Sequence, residues 1–183
     1  MASLSLSLRG LVLQIQVNEI PEEGLELQVD DSSWFPDGEI RRTGDLKARV
    51  FIERQQERLM ASGSIDLVYL LDCDRCLEEY HLPQRIEFRL ILEQEEKADV
   101  PLAAEHQYDI NEMDVVFYEG TLLDIDSILV QQVLLAHPAK KLCKDDCSGL
   151  CSECGMDLNL GTCTCSEKNP ESPFSVLGQL INK

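Results

Sequence analysis

Four close pairs of cysteine punctuate this chain: Cys73 and Cys76, Cys143 and Cys147, Cys151 and Cys154, Cys163 and Cys165. No other feature constrains folding as tightly. Two thiolates separated by two or three residues can meet one tetrahedral zinc ion at about 2.3 Å without straining the turn between them. Cys151-Ser-Glu-Cys154-Gly155 has the form of a zinc knuckle, its glycine free to turn backbone amides toward sulfur. Cys163-Thr-Cys165 is tighter but follows closely enough to complete a compact site with Cys151 and Cys154. The remaining four, Cys73, Cys76, Cys143 and Cys147, are expected to form a second site that ties a strand end to a segment far later in the chain. Local closure of the last four cysteines, within fifteen residues, costs little loop entropy, and this division is preferred to one uniting Cys143, Cys147, Cys151 and Cys154. One or two structural zinc ions are expected.

Other uses of the cysteines rank lower. The N-terminus, Met1-Ala-Ser-Leu-Ser-Leu-Ser-Leu-Arg9, has neither the basic start nor the small-residue cleavage pattern of an export signal, so a cytoplasmic protein is expected. In that compartment clustered cysteines are metal ligands more often than disulfides. Cys73-Asp-Arg-Cys76 also has a thiol–disulfide reading, but such sites need a helix starting at the first cysteine to lower its pKa. The strand-like residues Tyr80, Leu82, Ile86 and Phe88 follow instead, interrupted by Pro83.

Charge narrows the function further. Lys plus Arg number 16 against 34 Asp plus Glu, a formal charge of -18 in 183 residues. Such a body repels phosphate at long range and suits a basic protein as partner. The stretch from Glu93 to Asp126 carries eleven acidic residues against the single base Lys97, a candidate docking face for a cationic partner. The cluster Arg41, Arg42, Lys47, Arg49, Arg54 and Arg58 is where RNA contact is conceivable, although Asp45, Glu53 and Glu57 stand ready to pair with it.

Apolar patterning predicts an α+β fold: an antiparallel β-sheet meander with a packed helix and a C-terminal cysteine-rich zinc-binding element. Short strands are expected at 11–17 and 25–29, a loop around Trp34, Phe35, Pro36 and Gly38, and longer strands at 46–54, 57–71 and 80–92. Ile86, Phe88, Leu90 and Leu92 keep period two, which buries one face. Ile125, Ile128, Leu129 and Val133 share a helical face over 124–136, with Asp124 as cap and Pro138 as stop. The domains expected are a sheet domain over 1–140, a zinc-knuckle element over 141–168 and an amphipathic tail helix over 169–183. That tail has Ser172 as cap, Pro173 in its first turn and a stripe of Phe174, Leu177, Leu180 and Ile181.

Further chemistry is thin. His81, His106 and His137 stand in unrelated contexts, with only His137 near enough to Cys143 to be an alternate ligand. No phosphate-binding loop, dinucleotide fingerprint, nucleophile elbow or H-E-x-x-H motif occurs, so no catalytic residue, small-molecule substrate or membrane attachment is expected.

Four ordered segments resemble one family. They are Cys73-Asp-Arg-Cys76-Leu77-Glu78, Leu123-Asp-Ile-Asp126 ahead of a helix, Cys143 to Asn159 with its four cysteines, and Asn169-Pro-Glu-Ser-Pro-Phe174-Ser-Val-Leu177. Together they are similar to the bacterial YceD family, described as large ribosomal RNA subunit accumulation proteins, with relatives in chloroplasts. The resemblance covers residues 45–183, and two residues, Glu171 and Ser172, split the Asn-Pro-Phe associated with the family. It implies a non-enzymatic factor for 23S-type rRNA processing or accumulation. Its expected partner is a basic ribosomal protein or an rRNA-processing nuclease, with rRNA met indirectly. A direct RNA-binding zinc-ribbon module is the alternative, and a thiol–disulfide oxidoreductase the third reading.

Overall fold

The computed structural model describes residues 3–4, 13–55, 58–95 and 114–165. Among these it forms strands β1 (Ser3–Leu4), β2 (Gln14–Gln16), β3 (Leu25–Val29), β4 (Arg42–Gln55), β5 (Arg58–Asp72), β6 (Glu79–Gln94), β7 (Asp114–Tyr118) and β8 (Leu122–Asp124), and helix α1 (Ile125–Ala136). The chain divides into two compact units: Met1–Leu70 with His81–Pro138, and Leu71–Tyr80 with Ala139–Lys183.

The first unit is built on a six-stranded sheet in the order β1-β3-β4-β5-β6-β7, with β2 and β8 forming a separate pair. Period-two patterning dictates its faces. Leu46, Ala48, Val50 and Ile52 of β4, Ile65, Leu67 and Tyr69 of β5, and Ile86, Phe88, Leu90 and Leu92 of β6 are buried, while the residues between them are wetter except Ile91, which is buried too. Each such aliphatic side chain contributes about 1.5–3 kcal/mol relative to exposure. A register shift between Thr43 and Lys47 surrounds Gly44, whose φ of 70° suits a bulge.

The sheet is mixed rather than the antiparallel meander expected. The β3–β4 and β4–β5 pairs are antiparallel, but β1 pairs with β3 and β7 with β6 in parallel. Parallel pairing needs a long connection, which 5–24 and 95–113 provide in length; the sequence reading followed only the short ones. β6 also runs straight through Pro83. Since β7 pairs with β6 only at Leu90–Gln94, the Pro83 end has no partner on that side among the described residues, and a proline fits there.

Helix α1 lies where its apolar spacing placed it. Asp124 is extended and its side chain accepts from the Ser127 amide, capping the first turn. Ile125, Ile128, Leu129 and Val133 are buried together with Gln132, a polar residue the stripe did not foretell. The buried Tyr69 hydroxyl donates to the Val133 carbonyl at 3.0 Å and ties helix to sheet. His137, the residue before Pro138, is extended and ends the helix. The expected tail helix, the linker at 166–171, His106 and the 96–113 part of the acidic run lie outside the described residues.

Candidate metal centres

The second unit gathers all eight cysteines, and its geometry begins with two turns of one kind. In Cys73-Asp-Arg-Cys76-Leu77 the Leu77 amide donates to the Cys73 carbonyl at 2.9 Å, and Leu77 has a φ of 61°. In Cys151-Ser-Glu-Cys154-Gly155 the Gly155 amide donates to the Cys151 carbonyl at 2.9 Å, and Gly155 has a φ of 72°. Each turn needs the left-handed region right after its second cysteine, which folds the backbone around the sulfurs. Glycine supplies it in one turn. In the other a leucine accepts it.

What holds Leu77 in that conformation is a clamp on its loop. The Asp74 amide donates to the Lys141 carbonyl, and the Lys141 amide donates to Asp74 Oδ2, both at 2.7 Å. The Leu150 amide donates to the Arg75 carbonyl at 3.0 Å, and Arg75 Nη1 donates to the Cys147 carbonyl at 2.7 Å. Gly149, with a φ of 74°, lies against this loop so closely that a Cβ would sit 3.0 Å from the Arg75 carbonyl oxygen. The segment bearing Cys143 and Cys147 is thereby pinned to the loop bearing Cys73 and Cys76.

The result is two groups of four sulfurs, Cys73, Cys76, Cys143 and Cys147, and Cys151, Cys154, Cys163 and Cys165, each with all sulfurs within 4.8 Å of one another. The structure brings together the same residues that the sequence reading grouped. In the first group the Cys73–Cys147 and Cys76–Cys143 sulfur separations are 3.8 and 3.7 Å. A disulfide would need about 2.05 Å, and every cysteine is free. A tetrahedron with metal–sulfur bonds of about 2.3 Å has edges of about 3.8 Å, so the thiols are spaced to fit a zinc ion.

Electrostatics points the same way. Burial raises the Cys73 thiol, but the backbone amides of Cys143, Cys76 and Arg75 more than offset this and lower it to about 6. Burial, then the Cys76 and Cys147 sulfurs, pushes Cys143 up to about 12. In the second group the amides of Cys154 and Glu153 lower Cys151 to about 7, whereas the hydrogen bond with Cys154, followed by burial, lifts Cys165 to about 12. One thiol of each group is prepared as a thiolate and opposes the next. A divalent cation removes that opposition.

The sites differ in their surroundings. Cys73, Cys76 and Cys147 are buried, with Tyr80, Leu142, Cys143 and Leu150 packed on them. Cys151, Cys163 and Cys165 are half-buried, and Cys154 is exposed. Asn159 steadies the buried site: its Nδ2 donates to Cys147 Sγ at 3.5 Å and its Oδ1 accepts from the Ser148 amide. Asp157 in turn holds Asn159 through both its amide and its side chain. Sequence reading singled out neither Asn159, Asp74 nor Leu77 for a role. Asn and Asp beside metal-type cysteines signal such support, but a leucine in a glycine's place carries no local signal.

The remaining candidates fall elsewhere. His137 stacks edge-on against Tyr69 at 5.4 Å in the first unit, and His81 is exposed; neither belongs to a group of four sulfurs. Of the basic cluster, Arg42 covers the Phe35 ring at 5.1 Å, Arg54 reaches the Val17 carbonyl and Arg58 pairs with Glu93 at 3.7 Å. Lys47 and Arg49 share the wet face of β4, and the residues after Cys76 lead into β6 rather than a helix. Among the described residues no helix is long and apolar enough to cross a membrane.

Fold and sites define a sheet protein carrying two tetrathiol centres able to hold metal. The model of the family "Large ribosomal RNA subunit accumulation protein YceD" matches residues 61–181, which include both centres, and the chain belongs to this family. An uncharacterized protein of Mycobacterium leprae is 25% identical over 150 residues, covering 81% of this chain and 60% of that protein. The chloroplastic Large ribosomal RNA subunit accumulation protein YCED homolog 1 of Arabidopsis thaliana is 26% identical over 165 residues, covering 80% of this chain and 50% of that protein. The chain thus spans 60% and 50% of the lengths of these relatives. No solved structure matches.

Proposed function

We propose that the protein is a non-enzymatic, cytoplasmic factor that promotes accumulation of large-subunit ribosomal RNA, braced by two structural zinc ions. Cys73, Cys76, Cys143 and Cys147 hold one ion, and Cys151, Cys154, Cys163 and Cys165 the other. The ion supplies a four-way cross-link, joining the Cys73–Cys76 loop to the segment after α1. The observation that carries the reading is the family match across both tetrathiol centres. Its partner is a basic ribosomal protein or processing nuclease drawn to the acidic surface. Deleting the gene and measuring 23S-type precursors and mature rRNA tests this: precursors rise and mature large-subunit rRNA falls. Unchanged rRNA overturns it.

Direct RNA contact is the second reading, favoured by the wet sheet face that Arg49, Arg85 and Arg89 line with Ser62 and Ser64, although Glu26 and Glu87 line it too and Arg85 pairs with Glu87 at 3.0 Å and Asp66 at 3.6 Å. It requires RNA affinity that falls steeply with salt and drops on Arg49→Ala. Salt-independent or absent binding removes it.

A further inference from the structure

The first unit carries an apolar groove that the zinc centres do not explain. Phe117, Leu122, Leu134 and Leu135 are 54, 42, 41 and 67% exposed and line adjoining hollows, so they form a patch rather than scattered apolar residues. Two adjoining hollows of about 440 and 570 Å³ connect them, sharing Asp124, Ser127 and Gln131 as common wall. One wall is β7, at the edge of the six-stranded sheet; the other is the face of α1 carrying Val130 and Leu134, one helical turn apart. Glu119, Asp124 and Asp126 line the same groove, Asp124 also accepting from the Ser127 amide and Asp126 from the Leu13 amide, and among the described residues no basic side chain lines it.

We infer that this groove docks a cationic amphipathic segment of a partner protein, its apolar side chains against Phe117, Leu122, Leu134 and Leu135 and its lysines or arginines against the carboxylates. The inference deepens the proposed function, resting on its basic-partner reading and naming where that partner binds. Charge selects the occupant. An RNA strand would bring phosphate to a carboxylate rim, and a second copy of this chain would bring its own charge of -18. A basic segment with an apolar stripe satisfies both features, as helix-in-groove recognition requires.

The test uses the full chain and two fluorescent peptides of equal charge: leucine and lysine at helical spacing, and a control with serine for leucine. The leucine peptide binds about tenfold or more tighter than the control. Phe117→Ser and Leu135→Ser each weaken it about tenfold without moving the thermal midpoint, while Glu119→Gln weakens it about two- to threefold. Equal affinity for both peptides reduces the effect to charge alone and overturns the inference. So does binding untouched by both serine variants, or no binding to the wild-type chain, as when another segment already fills the groove. A peptide-free chain whose sedimentation changes with Phe117→Ser overturns it too, since a second copy would then be the occupant. The proposed function is judged separately by the deletion strain: normal rRNA there removes the function and leaves the peptide result standing.

Discussion

The turns Cys73–Leu77 and Cys151–Gly155 share a spacing, a closing hydrogen bond and a left-handed residue after the second cysteine, yet their settings are opposite. The first has both its sulfurs buried and is clamped by Lys141, Leu150 and Cys147; the second has one exposed sulfur and is closed by local partners, the Cys151 amide donating to Met156 and Leu150 bridging Asp157. A turn that closes locally must choose the residue its backbone favours, hence Gly155. A turn held by distant partners can carry Leu77 in a conformation that costs about 1 kcal/mol, because those partners leave it no alternative. The buried centre is therefore the tertiary cross-link, and the exposed one a self-contained knuckle.

The largest test of this contrast removes one ligand from each centre. Zinc content falls from two equivalents to one with either Cys73→Ser or Cys163→Ser, read by elemental analysis. The thermal midpoint drops by about 10 °C or more for Cys73→Ser and by much less for Cys163→Ser. Equal losses of stability would erase the distinction. Metal removal gives the next effect: a chelator in excess withdraws one equivalent quickly, from the half-exposed centre, and the second only as the fold opens. A single release phase followed by a metal-sensitive dye would contradict it.

Smaller effects probe the backbone. Gly149→Ala, with its φ of 74° and the Arg75 carbonyl in the way, destabilises by about 1–3 kcal/mol in urea unfolding. Gly155→Leu, which gives the exposed turn the residue of the buried one, costs about 1 kcal/mol because no clamp enforces its conformation. The reverse change, Leu77→Gly, relieves strain but frees the unfolded chain, so stability shifts by less than about 1 kcal/mol. A loss there as large as that of Gly149→Ala would mean that the Leu77 side chain itself is a packing element, against its exposure of 68%.

Much of this was legible in the sequence. The stripe Ile125, Ile128, Leu129 and Val133 with Asp124 ahead of it specified a helix and its inner face, because hydrophobic spacing and a cap act within a few residues. The period of Ile86, Phe88, Leu90 and Leu92 specified the buried face of β6 for the same reason. β7 is missing from the expected strands even though Val115, Val116, Phe117 and Tyr118 favour one, because the reading of that stretch rests on its acidic charge alone. Gln132 was hidden inside an otherwise apolar face.

Sequence by itself determined the local parts: the cysteine turns, the capped helix and the alternating strands, since each depends on the dihedral preferences and side chains of neighbours. Tertiary structure alone decided which backbone contacts hold Cys73 and Cys76 to Cys143 and Cys147, that β1 and β7 join the sheet in parallel, and that a leucine takes a glycine's conformation. Those outcomes rest on hydrogen bonds between segments far apart in the chain, such as Asp74 to Lys141 and Arg75 to Leu150, and no short-range pattern encodes which distant amide finds which carbonyl.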